Sequence, residues 1–143
     1  MKKQVLCIAF FALSATLNAQ ISIPKTTSTD PTSVVKNFIK PPSIGDIGKT
    51  TNGIMGMLGG LGLSSSQKPK VTDAISGFLG QKKGILSLAD KNPTDYLSKF
   101  GPLQKGLFDK LKGIMGATMF SKFLGMKPSG NNIGSNLLSN LFF

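Results

Sequence analysis

The chain has 143 residues, with 17 Lys, 6 Asp and 17 Gly, and it contains no Arg, Glu, His or Trp. Its formal charge at pH 7 is +11, and its single cysteine is Cys7. Because the chain has no His and its only Cys is at position 7, residues 8–143 cannot form a zinc site built from His or Cys, a Ser-His-Asp triad or a Cys-His dyad. We expect a protein that is not an enzyme and has no cofactor.

The N-terminus has the pattern of a signal peptide. Lys2 and Lys3 supply a positive start, and residues 5–17 form an apolar run that is too short to cross a bilayer as a stable helix. Cleavage after Ala19 would make residues 1–19 the signal peptide and send the mature chain to the periplasm or outside the cell. The alternative is a retained N-terminal anchor helix.

The segment after this leader predicts a tether followed by a Gly-rich helical region. Residues 20–29 are polar without an apolar period and predict a disordered tether. Asp30 followed by Pro31 is typical of a helix start, and this short helix should stop at Pro41. This short helix and the glycine-interrupted stretch that follows it form one predicted Gly-rich helical region, residues 30–63.

Within that region, residues 43–63 place apolar side chains at near-helical spacing, but seven glycines interrupt the pattern. Each interior glycine destabilises a helix by about 0.5–1 kcal/mol relative to alanine. We therefore expect a frayed or broken helix that ends at Gly59 and Gly60.

The predicted helical core covers residues 64–128. Ser64 and Gln67 have the spacing of a capping box, and Pro69 suits a first helical turn best if Ser66 is the cap. The helix that follows should end near Asp90. Its apolar face is a single stripe containing one lysine: Val71, Ile75, Phe78, Leu79, Lys82 and Leu86.

A second stripe begins after a sharp turn at residues 90–93, where Asn92 and Pro93 predict another helix start. It should face the first stripe and reach Gly116, with a kink or a break at Gly101 and Pro102. Its apolar members are Tyr96, Leu97, Phe100, Leu103, Leu107, Phe108, Leu111, Ile114 and Met115. A short helix over residues 117–124 should follow.

Residues 129–143 predict a linker and a C-terminal amphipathic helix. Leu137, Leu138 and Leu141 would share one face, with Ser139 and Asn140 largely away from it, and we expect this helix to be weakly docked. The alternation of an outer-membrane strand is missing here, and no other stretch supports a strand. The predicted fold is an all-α small helical bundle.

Two short motifs point to chemistry that the rest of the chain does not support. Residues 43–50 resemble a phosphate-binding loop but lack its first glycine and its preceding strand. Ser-x-x-Lys occurs at residues 33–36 and 65–68, without the companion motifs of penicillin-binding enzymes. A hydrolase using Ser and Lys is the weakest of three functional hypotheses.

Residues 61–68, Leu-Gly-Leu-Ser-Ser-Ser-Gln-Lys, followed by Val71, carry a family resemblance. This stretch resembles the Leu-Thr-x-x-Gln helix start of the CpxP/Spy-like family of small exported helical proteins. Residues 115–119 with Phe123 keep the apolar positions of the second family motif but lack its Thr and Gln. The resemblance implies a cationic, cradle-like helical surface that holds unfolded clients without ATP.

Our leading hypothesis is an exported, non-enzymatic binding or chaperone-like module with apolar grooves and a lysine rim. The candidate binding residues are Lys82, Lys83, Met119, Phe120, Phe123, Leu141 and Phe142. Possible partners are unfolded protein segments or an anionic envelope surface, whereas nucleic acid is not expected because Arg is missing. The alternative is a cationic protein that acts at membrane surfaces, suggested by the apolar stretch 53–63 and the apolar C-terminus.

Overall fold

A computed structural model describes residues 38–143 of the chain. The predicted signal peptide and tether, and the predicted helix from Asp30 as far as residue 37, lie outside the described residues. Residues 38–40, which we expected at the end of that helix, are not helical. Residues 38–143 are all-helical and contain no strand, in agreement with the predicted fold class. None of the helices in this range is both long enough and apolar enough to span a bilayer.

Six α-helices and two short 3-10 turns make up residues 38–143. The helices are α1 (Ile47–Met57), α2 (Gln67–Ile85), α3 (Leu88–Lys91), α4 (Pro93–Met115), α5 (Ala117–Gly125) and α6 (Ser139–Phe142); the 3-10 turns are Leu58–Leu61 and Gly130–Asn132. Helices α2 and α4 form the central pair, α1 packs on α2, α5 packs on α4, and α6 packs on α2.

Helix α1 forms despite its glycines because its apolar face is held by packing. Asp46 caps it by accepting a hydrogen bond from the Lys49 backbone N–H at 2.8 Å. Ile54 and Leu58 are fully buried in the core. The helix is continuous to Met57, and Gly59 and Gly60, where we expected the helix to end, lie in the 3-10 turn that follows it.

The capping box before α2 is present, and it uses Ser64. The Gln67 N–H donates to Ser64 Oγ at 3.2 Å, and the Ser64 N–H donates to Gln67 Oε1 at 3.0 Å. Ser66, the cap that we expected from the position of Pro69, makes no side-chain capping bond. The earlier serine therefore satisfies the amides at this helix start.

Helix α2 also ends earlier than predicted. It stops at Ile85, and a turn through Leu86 and Ser87 leads into the four-residue helix α3. Gly84 lowers helix propensity in the last turn of α2, and the change of direction lets Ala89 pack in the core. A single periodic stripe cannot reveal such a short redirection.

Helix α4 starts as predicted and is continuous, so the break, one of the two outcomes predicted at Gly101 and Pro102, does not occur. Asn92 caps it by accepting a hydrogen bond from the Asp95 N–H at 3.3 Å. Pro102 lies inside the continuous helix Pro93–Met115. Both Pro102 and Ser98, whose carbonyl loses its helical partner, are exposed, so water can satisfy that carbonyl without breaking the helix.

The two predicted stripes face each other across the α2–α4 interface. Phe78 and Leu107 are both buried, and the Phe78 ring centroid lies 6.0 Å from that of Phe100. Tyr96 stacks on Phe100 at 5.4 Å. The pairing predicted from the spacing of apolar residues is confirmed.

The C-terminal segment differs most from the prediction of a weakly docked helix. Only Ser139–Phe142 is helical, and every residue from Leu138 to Phe142 is buried, including Ser139 and Asn140. Side chains from the central pair bond its backbone: Gln104 Nε2 donates to the Leu141 carbonyl at 3.0 Å. The segment is part of the core because the bundle supplies donors for its carbonyls.

Candidate functional site: a groove between α4 and α5

The structure separates the seven candidate binding residues into interior and surface positions. Four of them, expected on a binding surface, are buried: Lys82, Phe123, Leu141 and Phe142. Lys83 is exposed and donates to the Gly45 carbonyl at 3.2 Å. Met119 and Phe120 are half-buried on α5. The spacing of apolar residues identifies a face but does not say whether another segment covers it, and here the C-terminal segment covers it.

Lys82 is the most unusual of these residues because it is 0% exposed. Its Nζ donates to the Asn140 carbonyl at 2.8 Å and also to the Phe143 main-chain oxygen. Neither salt bridge found within residues 38–143 involves this lysine. Burial lowers the pKa of Lys82 to about 7. Lys82 therefore holds the C-terminal segment in place and does not belong to a lysine rim.

Four phenylalanines form a cluster below the surface between α4, α5 and α6. The Phe108 ring lies 5.9 Å from Phe120, 5.8 Å from Phe123 and 5.6 Å from Phe142, each edge-on. Phe123 and Phe142 stack at 5.3 Å. Such contacts add to the effect of burial and fix the position of α5 on α4. Three of the seven candidate residues thus meet, although two of them lie in the interior.

The outer edge of this cluster forms the floor of a groove, which we call the α4–α5 groove. It encloses about 380 Å³, and its apolar floor is made by Phe108, Phe120 and Leu124. Leu124 is 41% exposed, a large value for a leucine beside an aromatic cluster. An apolar floor that remains open to solvent is a feature of binding surfaces.

The rim of the α4–α5 groove is polar and mostly positive. Lys105, Lys112 and Gln104 line it together with one carboxylate, Asp109. Lys105 Nζ lies 2.7 Å from Asp109 Oδ2, with both side chains exposed. The hydrogen bond to Asp109, followed by its charge, raises the pKa of Lys105. Lys112 is left as a rim cation that forms no ion pair with a described carboxylate.

Sequence reasoning missed Leu124, Phe108 and both rim lysines as members of one site. The signal for Phe108 was its place in the second stripe, one residue beyond Leu107, which moves it toward α5 and away from α2. The lysines of α4 gave no such signal because they are dispersed along the chain.

Two further cavities lie between α2 and α4. The larger holds about 530 Å³ and is lined by residues such as Lys70, Asp73 and Lys110, and the smaller holds about 200 Å³. Both cavities are lined by charged side chains of both signs.

Among residues 38–143, no three His, Cys, Asp or Glu side chains come together in a way that could hold a metal ion.

Comparisons of the chain with protein-family models, with curated proteins and with solved structures each found no match. A functional proposal for this chain therefore has to start from the geometry of the α4–α5 groove. An apolar floor beside ammonium groups can bind an extended or helical polypeptide segment that presents apolar and acidic side chains together.

Proposed function

We propose that the protein is an exported, non-enzymatic helical binding module with a chaperone-like role. In this proposal, the α4–α5 groove holds unfolded polypeptide segments that carry both apolar and acidic side chains. The observation that carries the proposal is the exposed apolar floor of Phe108, Phe120 and Leu124 next to the ammonium groups of Lys105 and Lys112.

Charge selects the kind of segment. The chain carries a formal charge of +11, which attracts anionic partners over distances of about a Debye length. Apolar side chains of the client would cover Leu124, and its carboxylates would pair with Lys112. The resemblance of residues 61–68 to the CpxP/Spy-like family supports the same kind of function, and the proposed export follows from the pattern of residues 1–19.

The chain offers matched variants for a direct test. Leu124→Ser removes an exposed leucine from the groove, whereas Leu97→Ser removes a leucine of similar exposure, 38% against 41%, outside the groove. Lys112→Gln and Lys99→Gln form the corresponding pair of lysine variants on α4. None of these four side chains is buried, so all four variants should fold.

Binding is measured by fluorescence anisotropy with two labelled model peptides, one alternating Leu and Asp and the other alternating Leu and Lys. We expect the acidic peptide to bind, with about tenfold or greater weakening for Leu124→Ser and a smaller, salt-dependent weakening for Lys112→Gln. Equal effects of each variant and its control, or equal binding of the two peptides, would contradict the proposal.

The second candidate function is action at an anionic membrane surface. It is favoured by four exposed large apolar side chains on a cationic domain: Ile39, Met57, Leu97 and Leu124. Co-sedimentation with anionic and zwitterionic vesicles tests it. Salt-sensitive binding to the anionic vesicles that weakens equally in Leu97→Ser and Leu124→Ser would favour the membrane over the groove.

A further inference from the structure

The two cavities between α2 and α4 join into one groove, which we call the α2–α4 groove. Asp73, Ala74 and Lys110 line both cavities, so these side chains mark the level at which the cavities meet. The lining residues come from residues 70–81 of α2 and residues 102–114 of α4. Because a helix rises by about 1.5 Å per residue, the groove is about 17 Å long.

The lining of the α2–α4 groove differs in charge balance from the chain as a whole. The chain has 17 Lys and 6 Asp, whereas the charged lining residues are two of each: Lys70, Asp73, Asp109 and Lys110. Each helix contributes one cation and one anion. All four side chains are exposed, and neither salt bridge within residues 38–143 involves Lys70, Asp73 or Lys110. The groove is therefore a balanced patch on a cationic protein.

Apolar side chains lie between these charges. Ala74, Leu103 and Ile114 line the groove and are half-buried, and the buried side chains of Phe78 and Leu107 also line it. A partner that covers this lining removes apolar surface from water, which favours association.

A two-fold axis along the groove brings opposite charges together. In a face-to-face pair of protomers with this axis, α2 of one protomer lies over α4 of its partner, and every residue keeps its level along the groove. Asp73 and Lys110 share a level, because both line both cavities. Asp73 of one protomer therefore meets the partner's Lys110, and the same ion pair forms twice because a two-fold interface is isologous.

We propose that the α2–α4 groove is the interface of a symmetric homodimer, in which two Asp73–Lys110 ion pairs between protomers flank the half-buried apolar lining. A second copy fits this lining better than a polypeptide of one charge sign, because such a polypeptide would meet like charges on both walls. Phe120 and Leu124 of the α4–α5 groove are not among the lining residues. The dimer is thus a separate property that does not depend on client binding.

The size of the face sets the strength of the dimer. Two neighbouring helices with axes about 10 Å apart give a face of roughly 17 Å by 20 Å. This is small beside the area of about 800 Å² that each partner buries in a stable interface. The homodimer should therefore be weak and reversible, with a dissociation constant of about 100 μM.

Sedimentation equilibrium of the full chain measures this dimer, at about 150 mM salt so that general repulsion between cationic protomers is screened beyond about 8 Å. Asp73→Lys and Lys110→Asp should each weaken dimerisation about tenfold or more, since each variant creates two like-charge pairs. Circular dichroism checks that both variants remain folded, as expected for exposed side chains.

Lys110→Asp is the sharper variant because it lowers the net charge, which would strengthen any association governed by net charge alone. Lys99→Asp makes the same charge change at an exposed position of α4 outside the groove, and it should not weaken dimerisation. An equimolar mixture of Asp73→Lys and Lys110→Asp should associate within about threefold of the natural chain, because the mixed dimer has one natural and one reversed ion pair.

Three results would overturn the proposal. A chain that remains monomeric up to about 1 mM rejects a second copy as the occupant and leaves the groove to another polypeptide. A Lys110→Asp chain that associates as tightly as Lys99→Asp places any dimer interface elsewhere. A mixture that associates no better than its two separate components excludes the pairing of Asp73 with Lys110 across a two-fold axis.

Discussion

Buried Lys82 makes the stability of the protein depend on pH in a direction opposite to that of a paired lysine. A lysine in the unfolded chain has a pKa of 10.5, whereas burial lowers the pKa of Lys82 in the folded protein to about 7. Between these values, the unfolded chain binds a proton that the folded protein releases. The free energy of unfolding must therefore rise with pH in this window.

The size of the effect follows from the two pKa values. The penalty for burying the charged lysine is fully present below about pH 7 and decreases as pH rises toward 10.5. From pH 7.5 to 9.5, the free energy of unfolding should increase by about 2–3 kcal/mol. The raised pKa of Tyr96 acts in the opposite direction, but only near pH 10 and above, so a measurement that ends at pH 9.5 isolates Lys82.

Urea unfolding followed by circular dichroism at several pH values measures this slope, with Lys82→Met and Lys83→Met as a matched pair. Lys82→Met should remove the rise, because methionine fills a similar volume without a charge. Lys83→Met, which replaces an exposed lysine, should leave the rise in stability with pH intact. A natural chain whose stability is flat or falls from pH 7.5 to 9.5, or a rise that persists in Lys82→Met, would refute the reasoning.

Four further substitutions test the packing, each measured by chemical denaturation. A Cβ at Gly53 would overlap Leu137 Cδ1, whereas a Cβ at Gly56 would meet open space. Gly56→Ala should therefore stabilise the protein by about 0.5–1 kcal/mol, and Gly53→Ala should not. Equal gains in stability would exclude the close approach of Leu137 to Gly53. Leu141→Ala should destabilise the protein by about 2–5 kcal/mol, since Leu141 is fully buried. A loss below about 1 kcal/mol would instead support the prediction that the C-terminal segment is weakly docked. Tyr96→Phe should leave stability unchanged or raise it by about 1–3 kcal/mol, and a clear loss would reveal a partner for its hydroxyl.

Local signals in the sequence were sufficient for the central helix pair. The capping pattern of Ser64 and Gln67, the Asn92-Pro93 start and the two facing stripes depend only on neighbours within a few residues. Such short-range features are encoded where they act, so they predict the starts of α2 and α4 well. The effect of Pro102 was less predictable because it depends on whether the freed carbonyl faces water.

The C-terminal segment could not be placed from the sequence because its stability depends on distant donors. Lys82 lies 58 residues before Asn140, whose carbonyl it binds, and Gln104 lies 37 residues before Leu141. Nothing in residues 133–143 indicates that these donors are available. A lysine within the apolar stripe of α2 was the one visible sign of a buried polar contact, and we had assigned Lys82 to a surface rim.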